Sequence, residues 1–223
     1  MKRRAIATAD KAERRNAILD AAERLFVRHP ERMANVAEVA TAAGLAKGTV
    51  YLYFPGKEEM LLALHERQVA QFFANLMRVL AHPVPVDFDD VFAPTRDRLI
   101  RRPGYLELTS RCFALMDREI PKATAIAFKK NMARTLEAAG VELERHFRMP
   151  AGAGVTLLIH SYGLIVGLWQ LLHPNERLGA AMRHPELRAL NRDYESEIEN
   201  ALRSLWQGWI ARAKDVPGRA RKP

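Results

Sequence analysis

The sequence predicts an all-α fold of about nine helices. Apolar residues recur every three to four positions through most of the 223 residues, the spacing that lines one face of a helix. Sustained strand-like alternation is absent. Glycine and proline fall at intervals long enough for helices between them: Pro30, Gly44, Pro55-Gly56, Pro83 and Pro85, Pro103-Gly104, Pro121, Pro150 to Gly154, Pro174 and Pro185.

The first helix is expected over roughly 11–28, with Ile18, Ala21, Ala22, Leu25 and Phe26 on one face. A second starts after Asn35, whose side chain can cap it, and Glu38 three residues on can return a hydrogen bond. Val36, Val39 and Ala40 are its apolar positions, and Gly44 stops it. A short third helix follows at about 46–53, closed by Pro55-Gly56. Lys57 opens a long helix to about Leu80, with Leu61, Leu64, Phe72, Phe73, Leu76 and Leu80 inward. Further helices are expected near 87–101, 104–117, 122–147, 153–172 and 187–213, with connections at 82–86 and 174–186.

Residues 155–172 contain no Asp, Glu, Lys or Arg, and their length is near the lower limit for crossing a bilayer of ~30 Å. His160, Ser161 and Gln170 interrupt the run, so a helix buried between neighbours, one of them from a second subunit, is expected instead, with no membrane partner. The last helix carries Leu187, Leu190, Tyr194, Ile198, Leu202, Leu205, Trp206, Trp209 and Ile210 at spacings of three and four. Two tryptophans near a helix end are costly in water. They either cap the monomer's own core or join a four-helix interface, and the breadth of the last two apolar helices favours a homodimer through them. Gly163 and Gly167 would allow close approach there.

Hydrophobic residues make up 48% and charged residues 27%, which argues against a wholly disordered chain. The one cysteine, Cys112, can form no internal disulfide and supplies no thiolate zinc cluster. The start, Met1-Lys2-Arg3-Arg4, is not followed by the apolar run of a secretory leader, so a cytoplasmic protein is expected. The net charge of +9 and pI near 10.0 favour a polyanionic partner. Residues 1–68 hold twelve Lys/Arg against nine Asp/Glu, residues 212–223 hold five against one, and the long middle is nearly balanced. The basic residues Lys2, Arg3 and Arg4 read either as a solvated tail or as an arm reaching a minor groove.

The informative block is 35–62. Two short helices joined through Gly44 form a helix-turn-helix, which presents its second helix to the major groove of DNA. Ala46, Lys47, Gly48 and Thr49 give that helix small residues for close approach and a few donors. Tyr51 and Tyr53 can offer ring edges to bases or sugars and hydroxyls to phosphates. Lys57 combines its charge with the positive end of the next helix, a natural phosphate clamp.

The run Ala43-Gly44-Leu45-Ala46-Lys47-Gly48-Thr49-Val50-Tyr51-Leu52-Tyr53-Phe54, with Lys57-Glu58-Glu59-Met60 after it and Arg15 to Phe26 before it, resembles the DNA-binding domain of the tetracycline-repressor (TetR) family of bacterial transcription regulators. The specific similarity covers about residues 10–66. The resemblance implies phosphate contacts from Asn35, Tyr53 and Lys57, and base or near-base contacts from Lys47, Gly48, Thr49 and Tyr51. Val50 and Phe54 are expected in the core. The sequence departs from the family at Ala46, where a serine is frequent, at Ala37, where some members place a base-reading side chain, and at Asn35, which stands where members often have Thr or Ser.

The implied organisation is an N-terminal arm and helix-turn-helix domain over 1–66, a helical ligand-binding and dimerisation domain over 67–214, and a basic tail over 215–223. Tyr105, Phe113, Met116, Phe128, Met132, His160 and Trp169 are candidates to line a cavity for a small hydrophobic or amphipathic effector. A dimer would grip a double-stranded palindromic operator until that effector binds, repression being the family's commoner mode. No cofactor, metal or catalytic residue is expected. The sequence has no His-Glu-x-x-His or Glu-x-x-His pattern, and 159–163 lacks the first glycine and the strand of a nucleophile elbow. The rivals are a helical enzyme and a helical interaction protein without DNA binding.

Overall fold

A computed structural model describes residues 2–173, 179 and 181–214, so the basic tail and part of the 174–186 connection lie outside the described residues. Within them run nine α-helices: α1 (Lys2–Arg28), α2 (Val36–Ala43), α3 (Lys47–Tyr51), α4 (Lys57–Leu80), α5 (Phe88–Thr95), α6 (Tyr105–Arg118), α7 (Lys122–Phe147), α8 (Ala153–Leu172) and α9 (Tyr194–Lys214). No strand occurs among the described residues.

Two compact units form. One comprises Met1–Gln71 with Arg102–Lys129, the other Phe72–Arg101 with Lys130–Pro223, so α4 and α7 each run from one unit into the other.

In the first unit, Ile18, Leu19 and Ala21 of α1, Val39 of α2, Val50 of α3 and Leu64 of α4 are almost wholly buried. Helix α6 joins this core through Tyr105, Leu108 and Thr109. Gly104, in the left-handed region at φ +74°, brings the start of α6 so close to α1 that a Cβ there would meet Phe26 and Val27 at 3.3 Å. Arg111 Nη2 of α6 donates to the Pro30 carbonyl at 2.7 Å.

Charge holds the same unit together. Glu23 Oε1 accepts from Arg102 Nη2 at 2.7 Å and from Gln68 Nε2 at 2.8 Å, while Glu23 Oε2 accepts from Arg67 Nη2 at 2.8 Å. Burial pushes the Glu23 carboxyl up, but the hydrogen bond and charge of Arg102, with Gln68 and Arg67, outweigh it and hold the group below the ordinary carboxylate range.

The second unit is built around Leu76, Leu80, Leu143, Leu157, Ile165 and Ile198. Trp206 is buried with its ring edge-on to Phe88 and Phe147, and its Nε1 donates to Ser161 Oγ at 3.0 Å. Trp206 therefore caps the monomer's own core, while Trp209 stays half-buried beside the exposed His160, ring centres 6.5 Å apart. Helices α7 and α8 touch backbone to backbone: a Cβ at Gly154 would lie 2.2 Å from the Gly140 carbonyl oxygen. Glu144 Oε1 accepts from the Gly154 amide at 3.0 Å and so satisfies one donor in the first turn of α8. Because the obstacle is backbone, Gly154→Ala should destabilise the protein by about 2 kcal/mol, as overpacked cores do. Urea unfolding midpoints of the two proteins check this.

Three expectations are corrected. Residues 2–10 continue α1 as helix instead of forming a separate arm. The last helix starts at Tyr194, not 187. Asp193 Oδ2 accepts from the Ser196 amide at 2.8 Å and caps α9 there, leaving Leu190 exposed and Leu187 in a 3₁₀ turn. The helix expected over 87–101 is α-helical only as far as Thr95, and Arg96–Ile100 is a π-turn closed by Arg101 N–H to the Arg96 carbonyl at 2.7 Å.

Candidate nucleic-acid interface

Helix α2 is set by its ends. Asn35 Oδ1 accepts from the amides of Ala37 at 2.9 Å and Glu38 at 3.0 Å, and Glu38 Oε2 accepts from the Asn35 amide at 2.8 Å. The expected capping box is present. It consumes Asn35 Oδ1 and leaves the Nδ2 donors for another acceptor. Arg32 grips Glu38 with both nitrogens, and that hydrogen bond, with the Asn35 amide, holds the Glu38 carboxyl below its ordinary range. Gly44 closes the helix at φ +67°, a conformation that suits glycine and turns the chain into α3.

Five residues make α3, too few to be stable alone, so its geometry comes from packing. Val50 is fully buried and Phe54, just beyond it, is 3% exposed, as expected of both. They pin one side of the turn to the core. The other side carries Lys47, Gly48 and Tyr51, all exposed, with Thr49 half-buried. A Cβ at Gly48 would meet nothing within 4 Å, so this point of the helix faces open space. Lys47 Nζ lies 5.9 Å from the Tyr51 ring centre, which places cation and ring on one outward turn.

Tyr53 and Lys57 are half-buried at the edge of this face. Lys57 opens α4, and its Nζ lies 3.7 Å from Glu58 Oε1. Glu58 and Glu59, in the first turn, suit the positive end of α4. Two residues outside the expected set stand near this turn. Leu52 is 81% exposed at the tip of the turn, and Arg15 of α1 stands over the Phe54 ring at 5.3 Å. Leu52 carried a signal in its place between two tyrosines; Arg15 carried none, because its neighbour lies 39 positions away.

The residues expected to line a cavity separate. Tyr105 and Phe128 are buried in the first unit on either side of His65, with ring centres 5.8 and 6.0 Å from its imidazole. Phe113 of the same unit is 37% exposed, with Lys129 over its ring, and Met116 is half-buried. In the second unit Met132 is half-buried, His160 is exposed, and Trp169 is half-buried and stacked on His173 at 5.4 Å. Sequence reasoning did not single out His65. It is 3% exposed, its Nε2 lies 3.1 Å from Thr109 Oγ1, and its Nδ1 has no partner outside its own residue among those described. Burial pushes its pKa down to about 4, so the ring is neutral at pH 7. Cys112, nearby on α6, is buried with its thiol pushed up to about 12, again by burial.

Residues 18–64 match the family described as bacterial regulatory proteins, tetR family, and residues 66–213 match the tetracyclin repressor-like C-terminal domain. The chain belongs to the TetR family. Among curated TetR relatives, the fatty acid metabolism regulator protein of Bacillus subtilis is 36% identical over 59 residues, 26% of this chain and 30% of the relative. The HTH-type transcriptional regulator EthR of Mycobacterium tuberculosis is 35% identical over 80 residues, 36% of this chain and 37% of EthR. The match thus spans about a third of the length of these curated relatives. Two solved structures extend the likeness of fold along the chain. SmeT, the repressor of the Stenotrophomonas maltophilia multidrug efflux pump SmeDEF, has a TM-score of 0.52 and 24% identity, covering 94% of this chain and 96% of SmeT. The fatty acid degradation regulator FadR from Bacillus halodurans has a TM-score of 0.56 and 18% identity, covering 86% and 98%.

Proposed function

We propose that the protein is a homodimeric transcriptional repressor of the TetR family that reads a palindromic operator with α3 and is released by a small hydrophobic or amphipathic effector. The carrying observation is the two-sidedness of α3, with Val50 and Phe54 locked into the core while Lys47, Gly48 and Tyr51 face outward beside the Lys57 end of α4. A five-residue helix so held presents its N-terminal turn without having to order it on binding. Asn35, Tyr53 and Lys57 then serve the phosphates, and Lys47, Gly48, Thr49 and Tyr51 serve the base edges.

Dimerisation is read from α8 and α9. Helix α8 is long and apolar enough to cross a membrane by length and composition, yet Tyr194 and Trp206 of α9 hydrogen-bond into it, at the Ile165 carbonyl and Ser161 Oγ. Its opposite side leaves Ile159 and Leu171 more than half exposed, with open space over Gly163 and Gly167. A second copy covering that side would carry two reading helices, spaced to meet half-sites about 34–36 Å apart. An effector that prefers a form with another spacing withdraws the DNA-competent population, and α4, continuous through both units, is the element able to carry the change. Such a protein works in the cytoplasm.

Selection from random duplex DNA followed by fluorescence anisotropy tests the reading. A palindromic consensus bound tightly and selectively supports it, and equal weak binding to all duplexes refutes it. Lys57→Ala should weaken every operator alike and lower the slope of log affinity against log salt by roughly one, the signature of one lost phosphate contact.

A further inference from the structure

We propose that the N-terminal half of α1 is a second DNA-contacting surface, a basic helical rod that lies along the phosphates flanking the half-site read by α3. The inference rests on the operator-reading function just described and adds a contact outside the helix-turn-helix.

Helix α1 is unbroken from Lys2, and from residue 10 up to Ile18 none of its side chains is buried. Residues 10 to 14 are all exposed, so no part of the described chain covers this stretch of the helix. Residues 2–15 hold six Lys/Arg, at 2, 3, 4, 11, 14 and 15, against two acids, Asp10 and Glu13. The charge is also sided. At 3.6 residues per turn, positions 4, 11 and 15 fall on one line of the helix, and the same line continues into Ile18 and Ala22, which pack into the core. Glu13 lies across the helix from it. From Lys11 to Arg15 the basic line therefore runs on the side of α1 that turns into the core, and the Arg15 guanidinium lies over the ring of Phe54, just beyond α3.

The shape decides how such a surface can meet a duplex. A loose basic arm can thread a minor groove about 6 Å wide, whereas an α-helix with its side chains is about 10–12 Å across and does not fit. With α3 in the adjacent major groove, the rod is left with the phosphates, for which a line of lysine and arginine is complementary. Residues 2–15 span roughly 21 Å, about six base pairs, so the contact falls on flanking DNA of any sequence.

The test uses the duplex recovered by random-DNA selection in two lengths: the palindrome alone, and the palindrome with about eight base pairs added on each side. Anisotropy titrations over a range of salt compare the full-length protein with the variant Arg4→Ala/Lys11→Ala, which spares Arg15 and the whole helix-turn-helix. The parent should bind the long duplex several-fold more tightly than the short one, with a steeper salt slope. The variant should lose that advantage, its slope on the long duplex falling by up to about two for each subunit, while its affinity for the short duplex is unchanged. A parent that binds both lengths equally overturns the rod and leaves the reading by α3 intact. A variant that loses affinity equally on both duplexes also overturns it, since the effect would then lie in the reading head. A parent that binds neither duplex overturns the operator assignment and the rod together.

Discussion

Replacing Glu23 by alanine should destabilise the protein by about 3 kcal/mol, the range seen when one partner of a largely buried ion pair is removed. One carboxylate holds Arg67 and Gln68 of α4 and Arg102 at the entry to α6. Both arginine side chains are only 16% exposed, so removing Glu23 strands two cations with little water to turn to. Arg67 keeps Asp20 at 2.6 Å and Arg102 keeps Gln71 at 2.8 Å, which places the loss at the lower end of the range. Glu23→Gln retains an acceptor without the charge and should lose less than half as much. Chemical unfolding of the three proteins at neutral pH gives the comparison. The carboxyl is held below its unfolded value near 4.5, so its contribution is present above that pH and fades as pH falls through the lowered folded value. Equal stability of Glu23→Ala and the parent would show the cluster to be ornamental.

Much of this architecture was legible because its signals are local. The Asn35–Glu38 box, the stop at Gly44 and the start at Lys57 each depend on residues within a turn of one another, and all three helix ends stand where expected. The residues of and just after α3 were readable for another reason: the resemblance to the family's contiguous motif implied which of them turn inward, and Val50 and Phe54 are buried while Lys47 and Tyr51 are exposed. What stayed hidden is what distance in sequence conceals. Glu23 meets Arg102 across 79 positions and His65 meets Thr109 across 44, and no periodicity marks either pair. Leu187 and Leu190 kept the spacing of the last helix, but the cap offered by Asp193 to Ser196 overrode it. The aromatic and sulfur side chains of the second half gave no means of telling lining from core. Tyr105 and Phe128 now stand together around His65, while His160 stands apart in the other unit.

His65 gives the second large effect, and its sign is fixed by burial. The unfolded imidazole titrates near 6.5 and the folded one near 4, because charging the ring among Tyr105, Phe128 and Thr109 costs its hydration, with the Lys129 charge adding to the penalty. Between those values the unfolded chain holds a proton that the folded chain does not. Stability is therefore complete above about pH 6.5 and declines as pH falls toward 4, by about 3 kcal/mol in all. The window lies mostly above the one set by Glu23, so the two can be separated. In His65→Gln the decline between pH 6.5 and 4.5 should be largely abolished, although the variant starts from lower stability because Gln fills the site less well. Unfolding free energies at half-unit pH steps make the measurement. A variant that kept the parent's full slope in that interval would assign the acid sensitivity to another group.

The contact between Gly140 and Gly154 has a consequence for how this protein can change over generations. Elsewhere in the second unit a leucine can shrink while a neighbour swells, and the pair drifts without loss. Where one main chain rests on another there is no side chain to give way, so neither position can accept even a methyl group unless the paths of α7 and α8 move apart. In a lineage of functional variants these two sites should act as fixed points around which the apolar interior is free to wander.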